Sequence, residues 1–469
     1  MTKTDKIFRA LFVALAVGLG WGIRGHFGGS TGAMFPGAML GLSFAYVSGQ
    51  RSMFHWMPLL GAVSAWFISF GGNMTYGLLH GYAASGPPAQ WYNYAYGFLM
   101  LILQGGSWGI FGTAAIALLL DKKTIKAGEV VAMAGFIFLS GLFFSLIILK
   151  WWGFHVNPPR GDSLVNHFGG ATGLVIWLVL SKRMYALRGA LIGFVGFGLG
   201  MSLGRMNANI LDYFHVAINS WNVMEITCGA TGGFLFAYFM MDRTFPEPLL
   251  EKPLHHTASA AGSVFVLGII PLMQWLGTNK KEIQGMQASL ETWGFPNAQA
   301  IAGNMLTWIH ITLALGFLFG LTWVYLYLKD KRHYPWFPIL ALGLTIMCID
   351  LFARLYCYYP PPKEGYIDMR TCTIGLYILM ALYVIIREWK FPHSVYEFSD
   401  KKTEKVPWKT WIIATLCAYC LMLFVSDFTN TELMKRKISN TRFPVWNRMN
   451  DGPFEKRDSI QLHPEQLTR

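Results

Sequence analysis

Polar and ionisable side chains gather beside short glycine motifs in the first half of this sequence. Arginine, histidine, asparagine, threonine and glutamate lie within a few residues of stretches that are otherwise apolar. Guanidinium, imidazole, amide and hydroxyl groups together bind anions and hydroxylated solutes. We therefore predict a binding site for a small polar solute, anionic or sugar-like. Its predicted residues are Arg24, His26, Thr31, Asn166, His167, Thr172, Arg205, Asn207, Glu225 and Thr231.

Glu225 has a special position in this set because it is the acidic member. We expect its carboxylate to pair with Arg24 or Arg205, or to take up a proton. An ionisable group at the centre of a membrane helix costs about 2.5–3.5 kcal/mol and is usually kept facing a cavity or a partner. The same residues also fit a hydrogen-bonded network that only pins helices together, so a binding site and a structural network are alternatives here.

Four copies of one glycine motif lie on four hydrophobic segments: Gly28–Gly32, Gly105–Gly109, Gly169–Gly173 and Cys228–Gly232. Two copies follow the same dipeptide, His-Phe. Small residues allow helix backbones to approach closely in lipid. Alternatively, the motifs unwind locally, so that backbone N–H groups and threonine hydroxyls face a ligand. They are not Walker loops, because no Gly-Lys-Ser/Thr follows.

Membrane helices are the elements that must position these residues. The chain has 469 residues, of which 54% are hydrophobic and 13% charged, whereas soluble domains carry about 25% charge. Apolar runs of about 17–25 residues are long enough to cross lipid. We predict an all-α polytopic membrane protein with about 13 transmembrane helices. The runs lie near 8–24, 31–48, 53–73, 96–120, 128–150, 166–182, 187–206, 221–241, 259–277, 304–328, 335–356, 371–387 and 409–426.

The loops between these runs alternate in charge. One set, which includes Lys182-Arg183, is net basic, and the positive-inside rule makes that side cytoplasmic. This topology places the N-terminus in the cytoplasm and the C-terminus outside a bacterial inner membrane. Each glycine motif then lies near the outer end of an inward-running span. The four hairpins share one orientation, as parallel repeats do.

The sequence divides into three predicted regions. Residues 1–245 form a pseudo-symmetric repeat bundle, residues 246–426 a flanking transmembrane bundle, and residues 427–469 an external C-terminal tail. The flanking bundle carries none of the glycine motifs. It contains Asp350 and Arg354, which are four residues apart and are predicted to form an intrahelical ion pair.

The basic balance does not indicate a nucleic-acid partner. The formal net charge is +13, but Lys and Arg fall in short loops, where membrane orientation and anionic lipid explain them. The sequence carries no Rossmann fingerprint and no zinc motif, so we expect no cofactor and no metal. The expected partners are a small-molecule solute and the lipid bilayer, and an oligomer is compatible with the sequence.

The leading functional hypothesis is a membrane transporter or channel with its site at the axis of the repeat bundle. A second is a membrane-embedded transferase for a lipid-linked or glycan substrate at the outer face, with His26 or His167 as base. A cavity open sideways to lipid would favour it. A third is a non-catalytic subunit of a membrane complex. A solid centre, with Arg24 and Glu225 paired to each other, would favour this last hypothesis.

Overall fold

Fifteen α-helices make up most of the chain that the computed structural model describes, namely residues 2–71, 77–84, 91–121, 123, 125–154, 156, 163–241, 245, 252–292, 294–329, 334–353, 367, 369–390 and 408–433. These residues contain no β-strand. The helices are α1 Lys3–Arg24, α2 Ser30–Ser48, α3 Arg51–Gly71, α4 Gly77–Ala83, α5 Trp91–Leu119, α6 Ala127–Phe144, α7 Ser163–Leu180, α8 Met184–Tyr213, α9 Ser220–Met240, α10 Lys252–Val264, α11 Ile270–Thr292, α12 Ala298–Leu328, α13 Phe337–Ala353, α14 Met369–Lys390 and α15 Trp408–Leu433.

The chain is an all-α multi-pass membrane protein. Ten helices in the described residues are long and apolar enough to cross a membrane, and two shorter apolar helices fall within α13 and α15. Over their described residues, the thirteen predicted apolar runs lie largely on helices, and the run 259–277 crosses from α10 through a π-helical segment into α11. The run 31–48 forms α2, which is buried from Gly32 to Ser48.

Six helices close into a ring. Going around it, α1 packs against α2, α2 against α3, α3 against α5, α5 against α8, α8 against α9, and α9 against α1. Three of the four motif-bearing hairpins build this ring, which we call the six-helix ring. The hairpin of α6 and α7 lies outside it, with α7 against α5 and α8. We call the end of the ring at which α1 ends the upper end, and the opposite end the lower end.

Glycine allows the ring helices to touch along their backbones. A Cβ atom at Gly109 of α5 would overlap the carbonyl oxygen of Gly193 in α8. A Cβ atom at Gly229 of α9 would lie 2.5 Å from the carbonyl oxygen of Val17 in α1. The second, third and fourth motifs lie inside uninterrupted helices. Unwinding is therefore the wrong interpretation of these three copies, and close packing is confirmed for them.

The first motif interrupts a helix. A 3₁₀ turn, Gly25–Phe27, follows α1, and Gly28 then adopts φ +87° before α2 starts. Glycine adopts this left-handed conformation without the steric cost that other residues meet. A Cβ atom at Gly32 would overlap the carbonyl oxygen of Arg24. The chain therefore turns sharply between α1 and α2 at the upper end.

Arginines cap helices at the lower end. Arg9 donates to the carbonyl oxygens of Val47 (2.5 Å) and Ser48 (3.1 Å) at the end of α2. Arg188 donates to the carbonyl oxygen of Phe239 at the end of α9, at 2.8 Å. Basic side chains suit this position because the last carbonyls of a helix have no intrahelical donor and carry partial negative charge. The lower end is thereby tied together by its basic residues.

The later helices surround the ring on several sides. The α10–α13 group packs on α3 and α2, α14 packs on α1, and α15 packs on α8 and α5. A π-helical segment, Phe265–Ile269, joins α10 to α11 without a break. The predicted flanking region is therefore distributed around the ring. Residues 434–469, most of the predicted tail, lie outside the described residues.

Candidate functional site

Aromatic side chains from α1, α5 and α8 meet inside the six-helix ring. The Trp21 ring lies 5.3 Å from the Trp108 ring and 5.3 Å from the Phe197 ring, measured between centroids. The indole N–H of Trp108 donates to the carbonyl oxygen of Ile68 at 2.8 Å. All three rings are buried. We call Trp21, Trp108 and Phe197 the aromatic layer, because their rings meet between α1, α5 and α8.

Arg24 and Glu225 form a buried ion pair beside the aromatic layer. Nη2 of Arg24 donates to Oε1 of Glu225 at 2.9 Å, and the side chains are 1% and 2% exposed. The Arg24 guanidinium carbon lies 4.9 Å from the centroid of the Trp108 ring. A Cβ atom at Gly25 would lie 3.1 Å from both carboxylate oxygens of Glu225. Of the two partners predicted for Glu225, the structure selects Arg24.

Gln104 contributes a buried amide whose hydrogen-bonding groups are unmet. It lies on α5 four residues before Trp108, hence on the same helix face and one turn nearer the upper end. Its side chain is 0% exposed. Neither its amide nitrogen nor its amide oxygen has a hydrogen-bond partner in the described part of the chain. Buried amides are nearly always hydrogen-bonded, so such an exception indicates water, an ion or a ligand.

The short helix α4 covers the upper end of the ring. The amide of Asn209 in α8 donates to the carbonyl oxygen of Ala83 at 3.1 Å, and the His80 ring lies 5.1 Å from the Trp221 ring of α9. His80 is 1% exposed. Burial lowers the pKa of His80 well below its usual value, and the charges of Arg205 and Arg24 lower it further. The imidazole is therefore neutral at physiological pH.

Arg205 is held within its own helix. Its Nε donates to Oδ1 of Asn209 at 2.7 Å, and its Nη2 lies 3.3 Å from Oδ2 of Asp212. Asn207 donates from Nδ2 to Oγ1 of Thr227 at 3.3 Å and links α8 to α9. We give the name polar layer to the buried side chains near the upper end, which are Arg24, His80, Gln104, Arg205, Asn209 and Glu225.

His26 contacts the later helix α13. Its Nδ1 lies 2.7 Å from Oδ1 of Asp350 on α13. The predicted partner of Asp350, Arg354, lies outside the described residues. Gln274 of α11 donates to the carbonyl oxygen of Thr31 at 2.6 Å. The first glycine motif therefore joins the ring to the α10–α13 group.

The predicted residues of α7 lie away from the polar layer. Nδ1 of His167 lies 2.6 Å from the carbonyl oxygen of Ser163, and its ring lies 5.4 Å from that of Phe70. The Thr172 hydroxyl donates to the carbonyl oxygen of Phe168 at 2.8 Å. Asn166 is exposed and lines a cleft of about 450 Å³ with Phe70, Ile137, Phe138, Leu142, Ser145, Leu149, Ser163 and Gly170. These residues form a second location, which we call the lateral cleft.

Two further predicted threonines serve local contacts. The Thr31 hydroxyl donates to the carbonyl oxygen of Phe27 at 2.7 Å. The Cβ of Thr231 on α9 lies close to Gly200 of α8, at 3.1 Å from where a Cβ on that glycine would sit. Both side chains are half-buried. The structure thus places Arg24, Arg205 and Glu225 together, with Asn207 nearby on α8.

Gln104 and His80 are the residues that the sequence analysis missed. Gln104 had a usable signal, because it is the one amide in the apolar run 96–120 and polar groups at membrane depth are usually functional. His80 had none, since it falls between two predicted spans. Among the described residues, no group of three or more His, Cys, Asp or Glu side chains is arranged to hold a metal ion. No family model matches the chain, and neither the curated proteins nor the solved structures gave a significant match.

Proposed function

We propose that this protein is a transporter for a small polar solute, anionic or sugar-like, which passes through the polar layer on the axis of the six-helix ring. The observation that carries the proposal is the unmet amide of Gln104. An unsatisfied buried amide costs about 1–3 kcal/mol. Gln104 lies one helical turn before Trp108, whose ring the Arg24 guanidinium contacts, and hydrogen bonding to a transient ligand would satisfy its amide.

The charges of the polar layer favour an anion or a polyhydroxylated solute. Arg24 and Arg205 supply guanidinium groups, and Gln104 supplies both a donor and an acceptor. Glu225 pairs with Arg24 at 2.9 Å. An incoming acceptor group would compete with this carboxylate for the guanidinium, and the displaced carboxylate would then take up a proton or a donor of the solute.

In this proposal the polar layer lies between two closures that would open in turn during alternating access. On the upper side α4 covers it, through the contacts of Ala83 and His80. On the lower side the aromatic layer closes the axis. A solute would enter when α4 moves and would leave when Trp21 and Trp108 separate. This proposal includes a bacterial inner membrane, a cytoplasmic N-terminus, an external C-terminus and parallel hairpin repeats.

Transport is tested with purified protein in liposomes. The measured quantity is uptake of radiolabelled phosphate, sulfate, lactate, glucose and glycerol, compared with empty liposomes. We expect uptake of at least one solute, reduced about tenfold or more by Gln104→Leu because a bonding group of the site is lost. Gln287→Leu, on α11 far from the ring axis, is the matched control and should transport normally. Uptake that Gln104→Leu leaves unchanged would refute the proposal.

The lateral cleft supports the transferase as a second candidate. It lies between α6 and α7 and carries the polar side chains of Ser145, Ser163 and Asn166. If the protein transfers a group to or from a lipid-linked substrate there, Asn166→Ala abolishes its activity and Gln104→Leu does not. The paired state of Arg24 and Glu225 equally fits the non-catalytic subunit, for which neither substitution would change any flux.

A further inference from the structure

An apolar groove with a polar end runs along α10 on the outside of the protein. Its volume is about 840 Å³. The apolar wall consists of small and branched side chains from α10, the π-helical segment and the end of α12. The lining residues are His256, Thr257, Ala260, Ala261, Val264, Phe265, Ile269 and Leu328.

The groove has the length of one membrane leaflet. From His256 to Ile269 the helix rises about 20 Å at about 1.5 Å per residue. Half of a bilayer's hydrocarbon core is about 15 Å thick, with the headgroup region beyond it. The polar side chains lie at the lower end of α10, and the apolar ones extend from there toward the membrane centre. A single lipid chain with its headgroup fits this layout.

The polar end adjoins a net basic stretch of sequence, because residues 329–333 hold three Lys or Arg residues and one Asp. His256 and Thr257 lie beside the end of α12, since the His256 ring is 5.9 Å from the Tyr327 ring. Lys329 follows Leu328 there and is exposed. Asp and Glu are absent from the lining residues. Basic pockets between membrane helices attract anionic headgroups, so the charge at this end is complementary to a lipid phosphate.

The walls of the groove are held in place from behind. Phe265 stacks on Trp66 of α3, with centroids 6.1 Å apart and planes 9° apart. A Cβ atom at Gly268 would lie 2.6 Å from the Phe317 ring of α12. The hydroxyl oxygen of Tyr327 lies 2.6 Å from Nε2 of His255. Both the π-helical segment and the end of α12 are therefore fixed against neighbouring helices.

We infer that this groove binds one anionic glycerophospholipid from the leaflet at the lower end. An acyl chain lies along Ala260, Ala261 and Val264, and the phosphate lies within reach of His256, Thr257 and Lys329. This site is separate from the polar layer and does not depend on transport.

Native mass spectrometry of the full-length protein tests the inference. The delipidated protein is incubated with phosphatidylglycerol or with phosphatidylcholine of identical acyl chains. We expect one phosphatidylglycerol to be retained about fivefold or more above phosphatidylcholine, from a charge contact of about 1 kcal/mol. Ala261→Trp should remove the bound lipid by filling the groove. Ala134→Trp, at an exposed position on α6, is the matched control and should retain it.

A second variant separates the headgroup from the chain. Lys329→Gln should reduce the preference for phosphatidylglycerol while leaving the chain bound. Equal retention of the two lipids by the wild-type protein would overturn the anionic specificity. Phosphatidylglycerol retention by Ala261→Trp at the wild-type level would overturn the location. Circular dichroism of each variant shows that any loss of lipid occurs in folded protein.

Discussion

Arg24 contacts the Trp108 ring, Gln104 lies one helical turn before Trp108, and the polar groups of these two residues differ in their pairing. The guanidinium of Arg24 has its counter-ion in Glu225, whereas the amide of Gln104 meets no partner in the described chain. Pairing explains how a charge is kept at this depth without large cost. The unmet amide has no such structural explanation. The unmet amide of Gln104 is therefore stronger evidence for a binding site than the Arg24–Glu225 pair is.

Replacing Gln104 should separate stability from function. Gln104→Leu removes a buried donor and acceptor while keeping the side-chain volume similar, so the free energy of unfolding should rise by about 1–3 kcal/mol. Solute uptake should fall at the same time. Thermal unfolding in detergent and uptake in liposomes measure the two effects. A variant that is both less stable and fully active would contradict the assignment.

The Arg24–Glu225 pair should show strong coupling. Glu225→Met leaves a buried guanidinium without its counter-ion and should lower stability by about 3–5 kcal/mol. The double variant Arg24→Met, Glu225→Met should recover most of this loss. A double-mutant cycle on thermal unfolding measures the coupling energy. Additive effects of the two substitutions would mean that the pair does not act as a unit.

Sequence analysis offered the Arg24–Glu225 contact as one of its alternatives, beside Arg205–Glu225, and missed the His26–Asp350 contact. Arg24 and Glu225 both adjoin glycine motifs, and both are ionisable groups in an apolar context, so their pairing follows from the cost of burial. His26 and Asp350 are separated by 324 residues and lie on elements with no shared motif. Their contact depends on where α13 packs, which no local pattern encodes.

The glycine contacts decide stability at the scale of helix pairs. Gly109→Ala would press a methyl group into the backbone of Gly193, so we expect a loss of about 1–3 kcal/mol. Gly135 of α6 meets nothing within 4 Å. Gly135→Ala should gain up to about 1 kcal/mol from helix propensity. Opposite shifts in unfolding temperature for these two substitutions are the expected outcome, and equal shifts would contradict the packing.

Helices were predictable from sequence, but their neighbours were not. The described residues of the thirteen apolar runs lie largely on helices, because hydrophobic length alone identifies such segments. The expected four-hairpin ring has only three of its hairpins, and α6–α7 packs outside. Lipid tails and protein cores are equally apolar, so hydropathy cannot tell exposed α6 from buried α2. For the same reason, sequence analysis grouped His167 of α7 with Arg24 of α1 in one predicted site.

At the lower end of the whole molecule arginines cap helices, whereas at the upper end buried polar side chains cluster. In the orientation that we propose from the positive-inside rule, the lower end faces the cytoplasm. A cysteine-free variant carrying Thr292→Cys should react with a membrane-impermeant maleimide on intact cells. Lys126→Cys should react only after permeabilisation. Both positions are exposed, so accessibility to reagent reports the side of the membrane. Labelling of Lys126→Cys on intact cells would reverse the proposed orientation.

Arg24 and His26 lie close together in the chain, beside and within the 3₁₀ turn that follows α1. Arg24 and His26 sit on either side of Gly25, and they are anchored to different helices, Glu225 on α9 and Asp350 on α13. A solute that displaces the Arg24 guanidinium from Glu225 would also strain the contact between His26 and Asp350, because His26 is only two residues away. Occupancy at the centre of the molecule would in this way be transmitted to its periphery through three consecutive residues.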